Sequence, residues 1–121
     1  MYEILLNKPK YNLFKNTNYA IEGLKDIFQN EKSFKTQLLA LIILSGIIFF
    51  LNFSYIKTSI MIISLFLPLL GEIANSAIER AVDLVTLEHH HLAKKAKDAG
   101  AALVFMSYFV VFLIWMSVFF Y

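Results

Sequence analysis

Cysteine is absent from this chain of 121 residues, so no disulfide can staple the fold and no thiol can carry redox chemistry. Glycine is scarce. None of the four, Gly23, Gly46, Gly71 and Gly100, falls in a G-x-x-x-x-G-K-[ST] or G-x-G-x-x-G arrangement, which excludes a glycine-rich phosphate loop. There are only two prolines, Pro9 in the amino-terminal tail and Pro68 inside an apolar run. Net charge is small, at +2, and no basic stripe with interleaved aromatics occurs, so nucleic acid is not an expected partner. Residues Met1–Lys10 contain no apolar run, so no cleavable signal peptide is expected. Repeats, low-complexity tracts and Gly/Ser/Pro linkers are missing too, and the length supports one domain.

Apolar residues are abundant. They make up 59% of the chain, against about 45–50% in soluble domains, and the mean hydropathy is +0.64. Thr36–Ile56 gives 21 uncharged residues and Ala99–Tyr121 gives 23. Each exceeds the roughly 20 that a helix needs to cross about 30 Å of hydrocarbon. Between Lys57 and Glu72 only 14 residues are uncharged, about 21 Å of helix, which is too short to span. Alternation of spans therefore predicts that the middle helix continues through Glu72; a re-entrant helix is the alternative. The expected architecture is all-α and membrane-integral: an interfacial helix over about 11–34, span one at 36–56, span two at 58–86 extending beyond the bilayer, and span three at 99–121. Pro68 is expected to bend span two just before Glu72.

Six lysines (Lys8, Lys10, Lys15, Lys25, Lys32, Lys35) precede span one, and Arg80, Lys94, Lys95 and Lys97 lie between spans two and three. Only Lys57 lies between spans one and two, so the amino terminus and second loop are expected on the cytoplasmic side. Phe14, Ile21, Leu24, Ile27 and Phe28 recur at helical spacing opposite Lys15, Asn18, Glu22, Lys25 and Asp26. That pattern reads as an amphipathic helix in the membrane interface, or as a soluble helix packed on the cytoplasmic loop.

The polar face of span two carries the strongest signal. Glu72, Asn75, Ser76, Glu79 and Asp83 fall at i, i+3, i+4, i+7 and i+11, on one helical face. Glu72 is expected deep in the span and Glu79 about 10 Å nearer water. Asn75 and Ser76 suit a polar seam that joins helices. Glu72 suits it less well, because an ionisable group within the hydrocarbon costs about 3 kcal/mol on insertion scales. A poorly hydrated carboxylate so placed is a candidate general base. Glu79 with a second acid suits Mg²⁺, and Glu31, at the junction of the interfacial helix and span one, is the candidate partner. Glu88-His89-His90-His91 and the lysines that follow are read as a solvated loop; adjacent histidines on a helix point about 100° apart and do not converge on one ion. These residues by themselves describe a membrane protein with a metal-capable acidic site facing basic groups, and no reaction.

Glu72-Ile-Ala-Asn-Ser-Ala-Ile-Glu79-Arg-Ala-Val-Asp83, then Glu88-His-His90 and Ala93-Lys-Lys-Ala-Lys97-Asp98-Ala-Gly, with Asn30-Glu31-Lys-Ser-Phe34 upstream, resemble the prokaryotic integral-membrane diacylglycerol kinase family. The resemblance covers nearly the whole chain. It implies a homotrimer in the bacterial inner membrane that moves the γ-phosphate of MgATP to a lipid hydroxyl, with its active site cytoplasmic. It further implies Glu72 as the general base, with Asn75 and Ala101 beside the lipid substrate. Glu31 and Glu79 are implied as Mg²⁺ ligands. The nucleotide would be contacted by those two glutamates and by Tyr19, Glu88, His89, His90, Lys97 and Asp98. Departures from the family pattern are Asn12 for an arginine, Gln37 for an acid, His89 for a tyrosine, and Asn16–Asn18 for small residues. Diacylglycerol is the expected acceptor, with undecaprenol, the substrate of a neighbouring branch, as the alternative. A channel or transporter subunit using Glu72 as an ion site is the non-enzymatic alternative.

Overall fold

A computed structural model describes residues 10–121; Lys8 and Pro9 lie outside the described residues. Five helices follow in order: α1 Leu13–Asn30, α2 Lys32–Phe50, α3 Tyr55–Ser64, α4 Phe66–Val85 and α5 His91–Phe120. No strand occurs among the described residues.

Local chemistry sets the boundaries. Asn12 caps α1 by accepting the Lys15 backbone N–H at 3.2 Å. Glu31 adopts an extended conformation (φ −105°, ψ 107°) that ends α1 and opens α2, so span one starts at Lys32 rather than at Thr36. It also stops at Phe50 rather than Ile56. Asn52 takes a left-handed conformation (φ 54°), one that asparagine tolerates, and Ser54 caps α3. The interruption in the middle helix falls at Leu65, seven residues before Glu72, and not just before Glu72 as expected. Pro68 has no N–H to offer the carbonyl four residues upstream, at Ser64. The chain tightens there, with Leu65 N–H bonding the Ile62 carbonyl at 3.1 Å. The Ser64 hydroxyl donates to the Met61 carbonyl at 2.6 Å and accepts the Trp115 indole N–H at 3.0 Å, tying the break to α5.

Three helical segments are long and apolar enough to cross a membrane: Lys32–Phe50, Tyr55–Val85 and His91–Phe120. The middle one runs on past Glu72 through 31 residues, about 46 Å at 1.5 Å per residue, which supplies the length its uncharged stretch lacks. Polar and apolar residues are distributed inside out. Ser64, Glu72, Asn75 and Ser76 are buried, while Phe49, Phe50, Phe105 and Phe120 are exposed on the outer surface. This is the arrangement a lipid solvent favours, with polar groups satisfied between helices. Two small apolar clusters hold the bundle together. Ile48, Met61, Leu65 and Val118 form one; Ile27, Phe34 and Leu69 form the other, at the junction of α1, α2 and α4.

Helix α4 packs most extensively on α5, and two glycines permit the approach. A Cβ on Gly71 would lie 2.8 Å from the Ser107 hydroxyl, which can rotate away. A Cβ on Gly100 would overlap the Asn75 side-chain oxygen and lie 3.3 Å from its Cγ. Gly100→Ala is therefore expected to destabilise by about 1–3 kcal/mol through overpacking, and Gly71→Ala by less than about 1 kcal/mol. Thermal unfolding of the two variants in one detergent measures the difference.

Candidate active site at the α2, α4 and α5 contact

The face of α4 predicted from spacing is buried over its first half, while Glu79 is half-buried and Asp83 exposed. Glu72 is 7% exposed, Asn75 9% and Ser76 1%. Glu72 is enclosed by polar groups of α2: its Oε1 accepts the Ser33 hydroxyl at 2.5 Å and its Oε2 accepts the Gln37 side-chain N–H at 2.9 Å. Ser33 and Gln37 belong to the first two turns of α2, immediately after the polar junction at Glu31. The Glu72 carboxylate therefore lies level with the first two turns of α2.

One turn on, the Asn75 amide donates to Glu79 Oε1 at 3.3 Å, and its own oxygen is buried without a partner among the described residues. Arg80 then joins three elements. Its guanidinium pairs with Asp26 near the end of α1 and with Glu31 at 3.0 Å. The hydrogen bond from Arg80 holds the Asp26 carboxyl below its usual range. A group so lowered favours the folded state above its ordinary titration range, and the contribution disappears only on acidification through the lowered value. The tie between α1 and α4 is thus intact at neutral pH.

At the end of α4, Asp83, Glu88, His89, His90, Lys94, Lys97 and Asp98 line a cleft of about 360 Å³. Lys97 pairs with Asp83 at 2.6 Å and Lys94 with Asp98 at 2.5 Å. The loop read over Glu88–Asp98 is shorter than expected, because α5 begins at His91. His90 caps it, with Nδ1 accepting the Leu92 N–H at 3.1 Å. The His90 and His91 rings stack with centroids 4.9 Å apart. Among the described residues no group of three or more His, Cys, Asp or Glu is arranged to hold a metal.

Glu72, Asn75 and Glu79 thus form one continuous strip on α4, with Glu31 joined to it through Arg80. Glu88, His89, His90, Lys97 and Asp98 gather in the cleft beyond. Tyr19, 62% exposed on α1, and Ala101, exposed on α5, do not line that cleft. Sequence reasoning missed the roles of Ser33, Gln37 and the Asp26–Arg80 pair. Ser33 and Gln37 did leave a trace, as two polar residues four apart at the mouth of an apolar run.

The two candidate metal ligands can be tested against the donor chemistry Mg²⁺ requires. Glu31 spends Oε1 on Arg80, and Glu79 spends Oε1 on Asn75. Among the described residues the second oxygen of each is uncommitted, and hard carboxylate oxygens are what Mg²⁺ takes alongside phosphate and water. In donor type, though not as an assembled group of three ligands among the described residues, these two glutamates fit the ion.

Fold and site together define an integral membrane protein of three spans, with a buried carboxylate beneath a cleft of mixed charge. A family model described as prokaryotic diacylglycerol kinase matches residues 18–119. The chain belongs to the prokaryotic diacylglycerol kinase family. It is 36% identical over 110 residues to the diacylglycerol kinase of Haemophilus influenzae, covering 91% of this chain and 93% of that one. Against the diacylglycerol kinase of Pseudomonas aeruginosa it is 36% identical over 102 residues, 84% and 83% of the two chains. Against that of Escherichia coli K12 it is 33% identical over 103 residues, 85% and 84%.

Proposed function

We infer that this chain is a diacylglycerol kinase that moves the γ-phosphate of ATP to the free hydroxyl of diacylglycerol, giving phosphatidic acid and ADP. The observation that carries this reading is the buried Glu72 carboxylate, directed by α2 donors and continuous with a strip of acids that leads to the α4–α5 cleft. Family membership supports the reaction class, and the names of the relatives support the acceptor.

In this reading Glu72 accepts the proton of the lipid hydroxyl as its oxygen bonds to the γ-phosphorus. The bond from that phosphorus to the bridging oxygen breaks, and ADP leaves with the electron pair. Lys94, Lys97 and the histidines of the cleft face the polyphosphate, where positioning and charge neutralisation are most of what phosphoryl transfer demands. Glu31 and Glu79 would hold Mg²⁺, which would supply charge neutralisation on the phosphate oxygens. Asn75 orients Glu79 through its amide. Arg80, by gripping Glu31 and Asp26, keeps the end of α1 against α4. The lysine distribution supports an inner-membrane orientation with this cleft cytoplasmic.

The position of Glu72, level with the first turns of α2, supports a small head group whose hydroxyl reaches the carboxylate while its chains remain in lipid. Transfer of labelled phosphate from ATP in mixed micelles, with diacylglycerol and undecaprenol offered in parallel, tests the assignment. Diacylglycerol is expected to show the higher kcat/KM. A tenfold preference for undecaprenol, about 1.4 kcal/mol in transition-state energy, would reverse the acceptor and leave the kinase chemistry standing.

Spans one and three bury little of their surface within the chain, and Tyr19 does not line the cleft of its own chain. Both facts support a homotrimer in which neighbouring copies complete the site. Native mass measurement in mild detergent is expected to find trimers carrying the activity; active monomers alone would refute the assembly.

A further inference from the structure

We propose that Ser33 and Gln37 are positioning residues for Glu72, a pair of neutral donors on α2 that fixes the plane and direction of its carboxylate. The proposal rests on Glu72 being the base. A glutamate's terminal torsion is broad, so a single donor would leave the carboxylate free to swing. Here each oxygen has its own donor: the Ser33 hydroxyl at 2.5 Å on Oε1 and the Gln37 N–H at 2.9 Å on Oε2. The donors are one helical turn apart on α2, so they approach from one rigid element. A carboxylate offers about four lone-pair sites, and these bonds take one on each oxygen. The remaining lone pairs are held in a set direction, available to an incoming hydroxyl.

The Gln37 amide shows what this arrangement gives up. A carboxylate only accepts, so the amide nitrogen must face Glu72, and the amide oxygen is left buried with no partner among the described residues. Gln37 itself borders a small, mostly apolar space that is also lined by Ala40, Leu41, Leu44, Leu65, Pro68 and Tyr108. Packing stability alone would favour leucine at this position, because a buried unpaired acceptor is unfavourable. The position is polar because Glu72 needs the donor, and the orphaned oxygen is the consequence.

The test compares Ser33→Ala, Ser33→Thr and Gln37→Leu, each alone and combined with Glu72→Gln, in the full-length protein in bilayer or mixed micelle. Separate kcat and KM values for MgATP and diacylglycerol are the readout. Ser33→Ala and Gln37→Leu are each expected to lower kcat about 10- to 100-fold, the range for one hydrogen bond to a charged group. Both KM values should stay within about twofold. Ser33→Thr, which keeps the hydroxyl, should recover most of kcat. In the Glu72→Gln background neither substitution should lower the residual rate further, because nothing is left to position. Unchanged kcat in both single variants, or equal losses with and without Glu72, would overturn the positioning role while leaving the base assignment intact. A Glu72→Gln protein of near-normal turnover would overturn the base and the positioning role together.

Discussion

Glu72→Gln is expected to lower turnover by about 10²–10⁴-fold, the usual contribution of a positioned proton acceptor. The protein should remain folded and inserted. The substitution preserves shape, and its surroundings can adapt: Gln37 can turn its amide over and offer its unpartnered oxygen to the new side-chain N–H, while Ser33 still donates to the remaining oxygen. Removing a charge from a buried site also removes a desolvation cost, so the thermal midpoint should stay level or rise. Nucleotide affinity should change little, because the loss falls on a group that acts mainly in the transition state. Turnover in the variant within tenfold of the parent would refute Glu72 as the base. Loss of the folded, inserted protein would instead show that the carboxylate is a structural bridge between α2 and α4.

Glu79→Gln and Glu31→Gln are expected to raise the Mg²⁺ requirement sharply or abolish transfer, because each removes an anionic oxygen from a pair that would hold one ion. The two residues are not equivalent, and the difference supplies a control. Among the described residues Glu79 is bonded only to its own helix, through Asn75, whereas Glu31 grips Arg80. An effect of Glu31→Gln could therefore arise from loosening α1. Asp26→Asn weakens the other arm of the same guanidinium without touching either candidate ligand. If Glu31 is a ligand, its substitution moves the magnesium titration and Asp26→Asn does not. Identical magnesium titrations for Glu31→Gln and the parent would remove Glu31 from the metal set, and the same holds separately for Glu79.

The parts of the fold that one helix decides for itself were readable in advance. Charge-free runs marked the outer spans, and the spacing of Glu72, Asn75 and Ser76 marked the buried face of α4. Errors arose where a boundary depends on a neighbouring group. Pro68 acts on the carbonyl four residues before it, so the interruption sits at Leu65 rather than beside Glu72. His90 looked like part of a solvated loop, yet its ring nitrogen caps α5 and shortens that loop to a few residues. Arg80 read as a marker of membrane orientation, and it also ties α4 to the end of α1 and to Glu31.

By itself the sequence determined that this chain is helical, that it resides in lipid, and that Glu72 must find polar company there. Helical period, hydropathy and the energetic penalty of a buried charge are all written residue by residue. Only the tertiary structure decided who that company is. Ser33 and Gln37 lie 39 and 35 residues away from Glu72 in sequence, and they meet it because α2 packs against α4 at one rotation and one height. The same packing sets Asn75 over Gly100, with no room for a Cβ between them. Rotation and height are properties of a pair of helices in contact, fixed by complementary side-chain volumes on both, and no pattern within either helix encodes them.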